Sequence, residues 1–376
     1  MADVRAFRAF RYAEPLEAVL APPYDVLTEE QVLEYRARSP HNVVRLTRPG
    51  TDYEGAARLL HEWIASGVLV EDGEPAMYLH RIEWDGRARL DLLAALRLVP
   101  YEDRVVLPHE LTHRGPKEDR LALLRATATS LEPLWFLTEG VRKLLEAAPS
   151  GQENQETAFL YAGERHTLRR IADPKWVARV TDHLAAQSVL IADGHHRYET
   201  ALGYSQEVGG GPAAASRFTL ALVTDLADPG LVVLPTHRLL KAGVEVTGGQ
   251  AAGSLEETLA ALRGSVAAGT YRDGRFQVLP LEGEVAVMEL HRQVIDNILG
   301  KRSAEEYLSY TRDPAEAVRW VDSGVGVAAF FVDAPDLAAV LRAAREGNTM
   351  PQKTTYFHPK PPSGMVFHSL DRERNL

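Results

Sequence analysis

Val189-Leu190-Ile191-Ala192-Asp193-Gly194-His195-His196-Arg197-Tyr198-Glu199-Thr200-Ala201-Leu202 is the stretch on which the fold turns. Its four leading apolar residues predict a short buried strand, which Gly194 breaks. A helix is expected to begin near His196 or Arg197 and to run through Ala201 and Leu202. A strand that feeds a helix through a glycine leaves backbone N–H groups unpaired at the positive end of the helix dipole, where a phosphate is held most easily. Arg197 stands in the first turn, where a guanidinium forks onto phosphate oxygens. Asp193, at the strand's end, is placed to position a metal ion, magnesium in particular, or to accept a proton. Gly194, His195, His196 and Arg197 are therefore expected to bind phosphate. The competing reading is an ordinary strand–glycine–helix junction whose paired histidines cap the helix or bond in the interior.

Composition bounds what such a turn serves. With 376 residues, 45% of them hydrophobic, the chain has material for two or three domains. It contains no cysteine, which removes disulfides, thiolate zinc sites and a cysteine nucleophile. There is no apolar run of about 18 residues and no signal-peptide pattern at the charged, mixed start, so a cytoplasmic protein without membrane contact is expected. A formal charge of −10 argues against nucleic-acid partners, which want a basic face. The basic run Arg165 to Arg170 reads as a solvated face. The expected partners are a nucleotide and a small-molecule substrate, with a homo-oligomer left open.

Outward from the turn, apolar periodicity predicts an α/β chain with mixed sheets. Helices are expected over Leu27 to Arg38, capped by Thr28, over Tyr53 to Ser66, ended by Gly67, over Lys117 to Ala128, and over Trp176 to Gln187. Met77 to Trp84 and Ala88 to Val99 read as strands around the turn Asp85-Gly86, and Leu134 to Leu137 and Phe218 to Thr224 as further strands. Residues Ala148 to Thr157 read as a surface loop, and Gly209-Gly210-Gly211-Pro212 as a break. Gly243 to Gly253 looks like a boundary; beyond it Leu255 to Leu262 and Val285 to Leu299 suggest helices or helix–strand pairs, and Val325 to Val332 a strand. The tail after Met350, with four prolines, reads as extended loop. The expected division is 1–100, an N-terminal α/β region; 101–242, the core with the phosphate turn; and 243–376, a C-terminal α/β region whose tail closes the site.

Several other constellations carry chemistry. His109-Glu110-Leu111-Thr112-His113 has the zinc-protease spacing, which on a helix puts both histidines on one face with the glutamate beside metal-bound water. Pro108 before it and Gly115-Pro116 after it oppose that helix. Glu110 is read instead as a cleft carboxylate, either a general base or a metal ligand, with Thr112, Lys117, Asp119 and Arg120 holding substrate or fixing the loop; the competing reading is a surface salt-bridge cluster leading into a helix. Lys353 is expected to reach a transferring phosphoryl group as a point charge, within a tail that also carries Tyr356, His358 and Lys360. Pro22-Pro23-Tyr24-Asp25 reads as a rigid turn, Asp25 capping the helix that follows. Thr236-His237-Arg238 follows the buried run Leu231 to Leu234, so Arg238 is expected at a strand end, where ligands are commonly met. Gly163-Glu164-Arg165-His166 has the wording of a DNA-partition motif without its helical follow-on and is set aside.

Asp193-Gly194-His195-His196-Arg197, with Ala201 four residues on, resembles the signature of the ParB/sulfiredoxin superfamily. In that group a Gly-x-x-Arg turn at a helix start holds nucleotide phosphates, and the free-serine kinases carry the same Asp-Gly-His-His-Arg wording. The absence of cysteine excludes sulfiredoxin chemistry. A whole-chain resemblance is to the uncharacterised bacterial family known as domain of unknown function 1015. It is carried by Pro22-Pro23-Tyr24-Asp25-Val26, Asn42-Val43-Val44-Arg45-Leu46, His109-Glu110-x-Thr112, Lys117-x-Asp119-Arg120, Leu234-Pro235-Thr236-His237-Arg238 and Met350 to Lys360. The resemblance implies a ParB/sulfiredoxin-like nucleotide-binding core with added N- and C-terminal elements, and a phosphotransferase using ATP or ADP, or CTP, with magnesium on a small molecule such as free serine. Glu110, Asp193 and Lys353 would be catalytic; Gly194 to Arg197, Thr112, Lys117 and Arg238 would bind the nucleotide. The alternatives are a nucleotide-responsive protein without turnover and a zinc hydrolase using His109, Glu110 and His113.

Overall fold

The computed structural model describes residues 1–110, 114–150, 155–241, 248–300, 302 and 304–376. They form two units. The first holds Met1–Pro108, the described residues of 114–231, and Pro359–Leu376; the second holds His109, Glu110 and Val232–His358. No helix among the described residues is long and apolar enough to cross a membrane.

The first unit is built on a nine-stranded sheet: β1 (Val4–Arg5), β2 (Met77–Trp84), β3 (Arg87–Arg97), β4 (Val106–Leu107), β5 (Leu134–Thr138), β6 (Glu156–Tyr161), β7 (Glu164–Ile171), β8 (Val189–Asp193) and β9 (Phe218–Asp225). The order across it is β4-β8-β5-β9-β3-β2-β7-β6, and β1 joins the edge of β3. The pairs β4–β8 and β5–β9 are parallel. The others are antiparallel. This is the mixed α/β class the sequence predicts. Asp85 and Gly86 both take left-handed backbone, φ 45° and 70°, which turns β2 into β3 with the twist a two-residue hairpin needs.

The longer helices of this unit are α1 (Glu29–Arg38), α2 (Tyr53–Ala65), α3 (Arg114–Thr127), α4 (Pro174–Ala185) and α5 (His195–Val208). Thr28 caps α1 reciprocally with Gln31. The expected cap role of Asp25 is therefore not the observed one. Helix α4 buries Trp176, Val180 and Leu184, spaced four apart, each such burial stabilising by roughly 1.5–3 kcal/mol. Arg165 to Arg170, expected as a solvated face, belong to β7, where alternation turns His166 and Leu168 into the core.

The second unit has its own six-stranded antiparallel sheet of β10 (His237–Leu240), β11 (Gln250–Ala252), β12 (Ala267–Arg272), β13 (Arg275–Pro280), β14 (Leu308–Thr311) and β15 (Ala328–Phe331), ordered β11-β13-β12-β15-β10-β14. The stretch expected as a boundary at Gly243 to Gly253 thus contains a strand, its residues 243–247 lying outside the described ones. The tail is extended, as expected, but two pieces of it pair: Tyr356–His358 with Val232–Leu234, and Phe367–Ser369 with Ala9–Tyr12 and Thr129–Ser130. Helices Pro314–Asp322 and Leu337–Glu346 were not among the expected elements.

Candidate active site

The decisive stretch folds nearly as read. Strand β8 is buried through Ala192, and its register against β5 shifts between Ile191 and Asp193, a bulge that re-aims the aspartate. Gly194 takes φ 99°, and a Cβ there would lie 2.8 Å from Leu134 Cδ2, so the turn needs glycine for both backbone and space. Helix α5 begins at His195, one or two residues earlier than expected, because the left-handed glycine itself serves as the N-cap. The first intrahelical bond runs from the Tyr198 N–H to the Gly194 carbonyl. The amides of His195, His196 and Arg197 thus belong to the turn that has no intrahelical acceptor.

Around this turn the first unit gathers charges from five places in the chain. The Lys360 ammonium donates to Asp193 Oδ1 at 2.6 Å and lies 3.7 Å from Asp25 Oδ2. Arg197 donates to Asp193 Oδ2 at 2.7 Å and to the Pro133 carbonyl at 2.8 Å. Burial opposes the charge of Arg197, but Glu132, Asp193 and Asp25 outweigh it and hold the pKa above its ordinary value. Tyr24 sits beneath Arg120, whose guanidinium lies 4.1 Å from the ring centre, and burial pushes its phenol up to about 12. The Tyr24 N–H and the Ser363 hydroxyl both donate to Glu132 Oε1, at 2.9 and 2.8 Å. Lys117 pairs with Glu199, one turn further along α5, at 2.6 Å.

A buried polar chain fixes the segment that brings Lys360 in. Arg89 holds Asp91 through both its Nε and a terminal nitrogen, at 2.8 and 3.1 Å, and gives its remaining terminal nitrogen to the Pro359 carbonyl at 2.6 Å. Asp91 also accepts from Thr224 and pairs with His80, which in turn bonds His166, each histidine contact being 2.9 Å. All four of Arg89, Asp91, His80 and His166 are wholly buried. Arg89 and its neighbours hold the Asp91 carboxyl at about 2 although burial alone would raise it.

The predicted site residues fall into two groups. Asp193, Gly194, His195, His196, Arg197 and Lys117 belong to the first unit, and the cation that meets Asp193 there is Lys360. Glu110, Arg238 and Lys353 belong to the second. There Arg238 is fully buried and donates to the Lys353 and Gln352 carbonyls at 3.0 and 3.3 Å, and Lys353 is an exposed turn residue at φ 54°. Burial lowers Arg238 to about 10 against the opposing influence of Tyr310 and Glu110. Thr112 and His113 lie outside the described residues. His109 and Glu110 are extended, Glu110 bridging Met350, and His109 Nε2 bonds the Thr355 hydroxyl at 2.8 Å. The zinc-protease spacing needs a helix that includes His109 and Glu110, and neither of these two is helical. Glu132 and Ser363 escaped the sequence reading; a lone acid between Leu131 and Pro133, ahead of an apolar strand, was the available signal for the former.

The sequence matches, over residues 4–318, the model of the family described as protein of unknown function (DUF1015). No curated protein matches it. Among solved structures the chain is similar to a free serine kinase in complex with AMP, at 16% identity and TM-score 0.43, over 73% of this chain and 91% of that one. It is also similar to a conserved hypothetical protein from Pyrococcus furiosus, at 16% identity and TM-score 0.41, over 73% of this chain and 94% of that one. A C-terminally truncated SbnI from Staphylococcus aureus is 12% identical with TM-score 0.36, over 72% of this chain and 85% of that one.

Proposed function

The chain belongs to the DUF1015 family, and we propose that it is a nucleotide-binding phosphotransferase acting on a small molecule such as free serine. The observation that carries this reading is the glycine turn before α5, whose preceding Asp193 is held by Lys360 and Arg197. Such a turn is a ready anion site, and the Asp-Gly-His-His-Arg wording is that of a nucleotide-phosphate turn in the ParB/sulfiredoxin superfamily. Only residues of the first unit enter it.

In this reading the phosphates rest on the amides of His195 to Arg197, and Lys360 neutralises charge developing on the transferred group. The acceptor hydroxyl oxygen attacks the terminal phosphorus, the bond to the bridging oxygen breaks, and the nucleoside diphosphate leaves. The hydroxyl proton passes to a carboxylate, for which Asp25, beside Lys360, is the first choice. Both oxygens of Asp193 are taken by cations, so we assign Asp193 as their anchor. Direct magnesium coordination by it would require Lys360 to withdraw, and a magnesium ion would otherwise arrive with the nucleotide.

Equilibrium binding of ATP, ADP and CTP, with and without magnesium, to wild type and to a folded Arg197→Ala variant tests the phosphate site. One nucleotide is expected to bind, and the variant to lose at least about tenfold, roughly 1.4 kcal/mol. Absence of binding by all three sinks the reading. Tight binding with no phosphorylated product from any acceptor, serine first, would instead make the protein a nucleotide-responsive switch.

A further inference from the structure

Pro359 is the residue at which the chain re-enters the first unit, and the next residue is the lysine that meets Asp193. The sequence itself stiffens this spot. Proline fixes its own φ, and Lys360 stands before Pro361 and Pro362, which disfavours helical backbone for it. What remains to be set is the direction of the Pro359 peptide plane. One side chain holds it: Arg89 donates to the Pro359 carbonyl at 2.6 Å.

That guanidinium has little freedom of its own. Asp91 takes two of its nitrogens, and its central carbon lies 4.3 Å from the middle of the Trp135 ring. Asp91 is in turn held by Thr224 and His80. Arg89 and Asp91 are wholly buried, so water does not substitute for either partner. A planar fork fixed on a carboxylate and along an indole face has one direction left for its remaining terminal nitrogen, and Pro359 lies on it. Stability alone is a weak reason for this arrangement, since a buried ion pair adds little over apolar residues of similar volume. The third contact, to the chain beside Lys360, is the informative one. On its far side the Lys360 ammonium, on a side chain only 11% exposed, stands 2.6 Å from Asp193 and 3.7 Å from Asp25.

We infer that Arg89 is a positioning residue for Lys360, setting through the Pro359 carbonyl where the ammonium stands between Asp193 and Asp25. Resting on the phosphotransferase reading, Arg89 thereby places the charge that meets the transferred phosphoryl group, without touching the nucleotide. A misplacement of about 1 Å in such a group costs up to about a hundredfold in rate.

The test reads the lysine directly. The full chain, without nucleotide, is labelled with trace acetic anhydride, and the acetylation rates of Lys360, Lys143 and Lys175 are compared by peptide mass spectrometry. In wild type Lys360 is expected to react at least about tenfold more slowly than the exposed Lys175. Arg89→Lys keeps a charge for Asp91 but lacks the fork that also reaches Pro359; Arg89→Met with Asp91→Leu removes the pair altogether. Each is expected to speed Lys360 by about tenfold, the scale of one charge-assisted hydrogen bond, with Lys143 and Lys175 unchanged. A purely structural Arg89 predicts otherwise: Lys360 keeps its protection in a folded variant, or all three lysines speed up together. Either result overturns the inference, as does a wild-type Lys360 as reactive as Lys175. ATP titration supplies the functional arm. The affinity lost in Arg89→Lys should vanish in a Lys360→Met background, and additive losses would count against action through the lysine. Labelling needs no nucleotide, so a protein that binds no ATP can still hold Lys360 in this way, and a failed labelling result leaves the phosphate turn standing.

Discussion

The Lys360 ammonium lies 2.6 Å from Asp193 Oδ1, although 167 residues of chain separate the two. It also faces Asp25, so one lysine answers two carboxylates that would otherwise repel each other beside the glycine turn. Lys360→Met keeps most of the aliphatic stem and removes the charge. We expect it to cost about 2 kcal/mol of stability, the scale of a charged hydrogen bond in a partly buried place. Nucleotide affinity should fall at least about tenfold in the same variant. Chemical denaturation and nucleotide titration check the two effects separately, and an unchanged affinity would remove Lys360 from the phosphate site.

Gly194→Ala tests the turn itself. The backbone sits at φ 99°, and the added methyl would press on Leu134 at 2.8 Å. Left-handed strain and the clash together are expected to cost roughly 2–4 kcal/mol. A urea midpoint equal to wild type would mean that α5 can start differently from the way described.

The buried pair Arg89 and Asp91 yields a contrast within one site. Asp91→Ala strands a wholly buried guanidinium and is expected to destabilise by about 3–5 kcal/mol. The double substitution Arg89→Met with Asp91→Leu removes both charges and should lose far less than the single one, although the Pro359 carbonyl then loses its donor. Denaturation curves of the three proteins decide it; additive losses would contradict a mutual charge dependence.

Acid should unfold the protein earlier than its carboxylates alone would require. Burial pulls His237 and His368 down to about 4, and burial with the neighbouring Arg238 pulls His291 down to about 3. The unfolded chain takes up these protons near pH 6.5, whereas the folded one resists them until about pH 4. Stability is thus fully present above about 6.5 and falls as pH drops towards 4, by about 1.4 kcal/mol per pH unit for each such histidine. Tm measured from neutral pH down to about pH 4.5 should decline steadily, and His237→Leu should flatten part of the slope. A Tm that is constant to about pH 5 would show that these rings are protonated in the folded state.

Local signals were legible where backbone chemistry dictates them. Thr28 with Gln31, Asp85 with Gly86, and Gly194 before a helix each fix φ or satisfy an orphan N–H through adjacent residues, so sequence spacing is enough. The partners of the turn were not legible in this way. Lys360 and Lys353 stand in one tail and look alike as sequence; what separates them is the Arg89 guanidinium gripping the Pro359 carbonyl, a contact across 270 residues. Glu132 was missed because a single acid ahead of an apolar strand gives no period, and its importance lies in donors from Tyr24 and Ser363. The histidine chain of His80 and His166 was equally silent, since each ring sits in an otherwise unremarkable strand and they meet only through the pairing of β2 with β7.

The return of Pro359–Leu376 to the first unit gives synthesis an order that assembly must respect. A growing polypeptide presents Asp25, Glu132 and Asp193 to solvent before Lys360 and Ser363 have been translated. During that interval Val232–His358 of the second unit emerge from the ribosome, while Asp25 and Asp193 wait for the lysine that they share. The lysine is therefore a late clasp: its contacts to Asp193 and Asp25 can form only after residue 360 has been made.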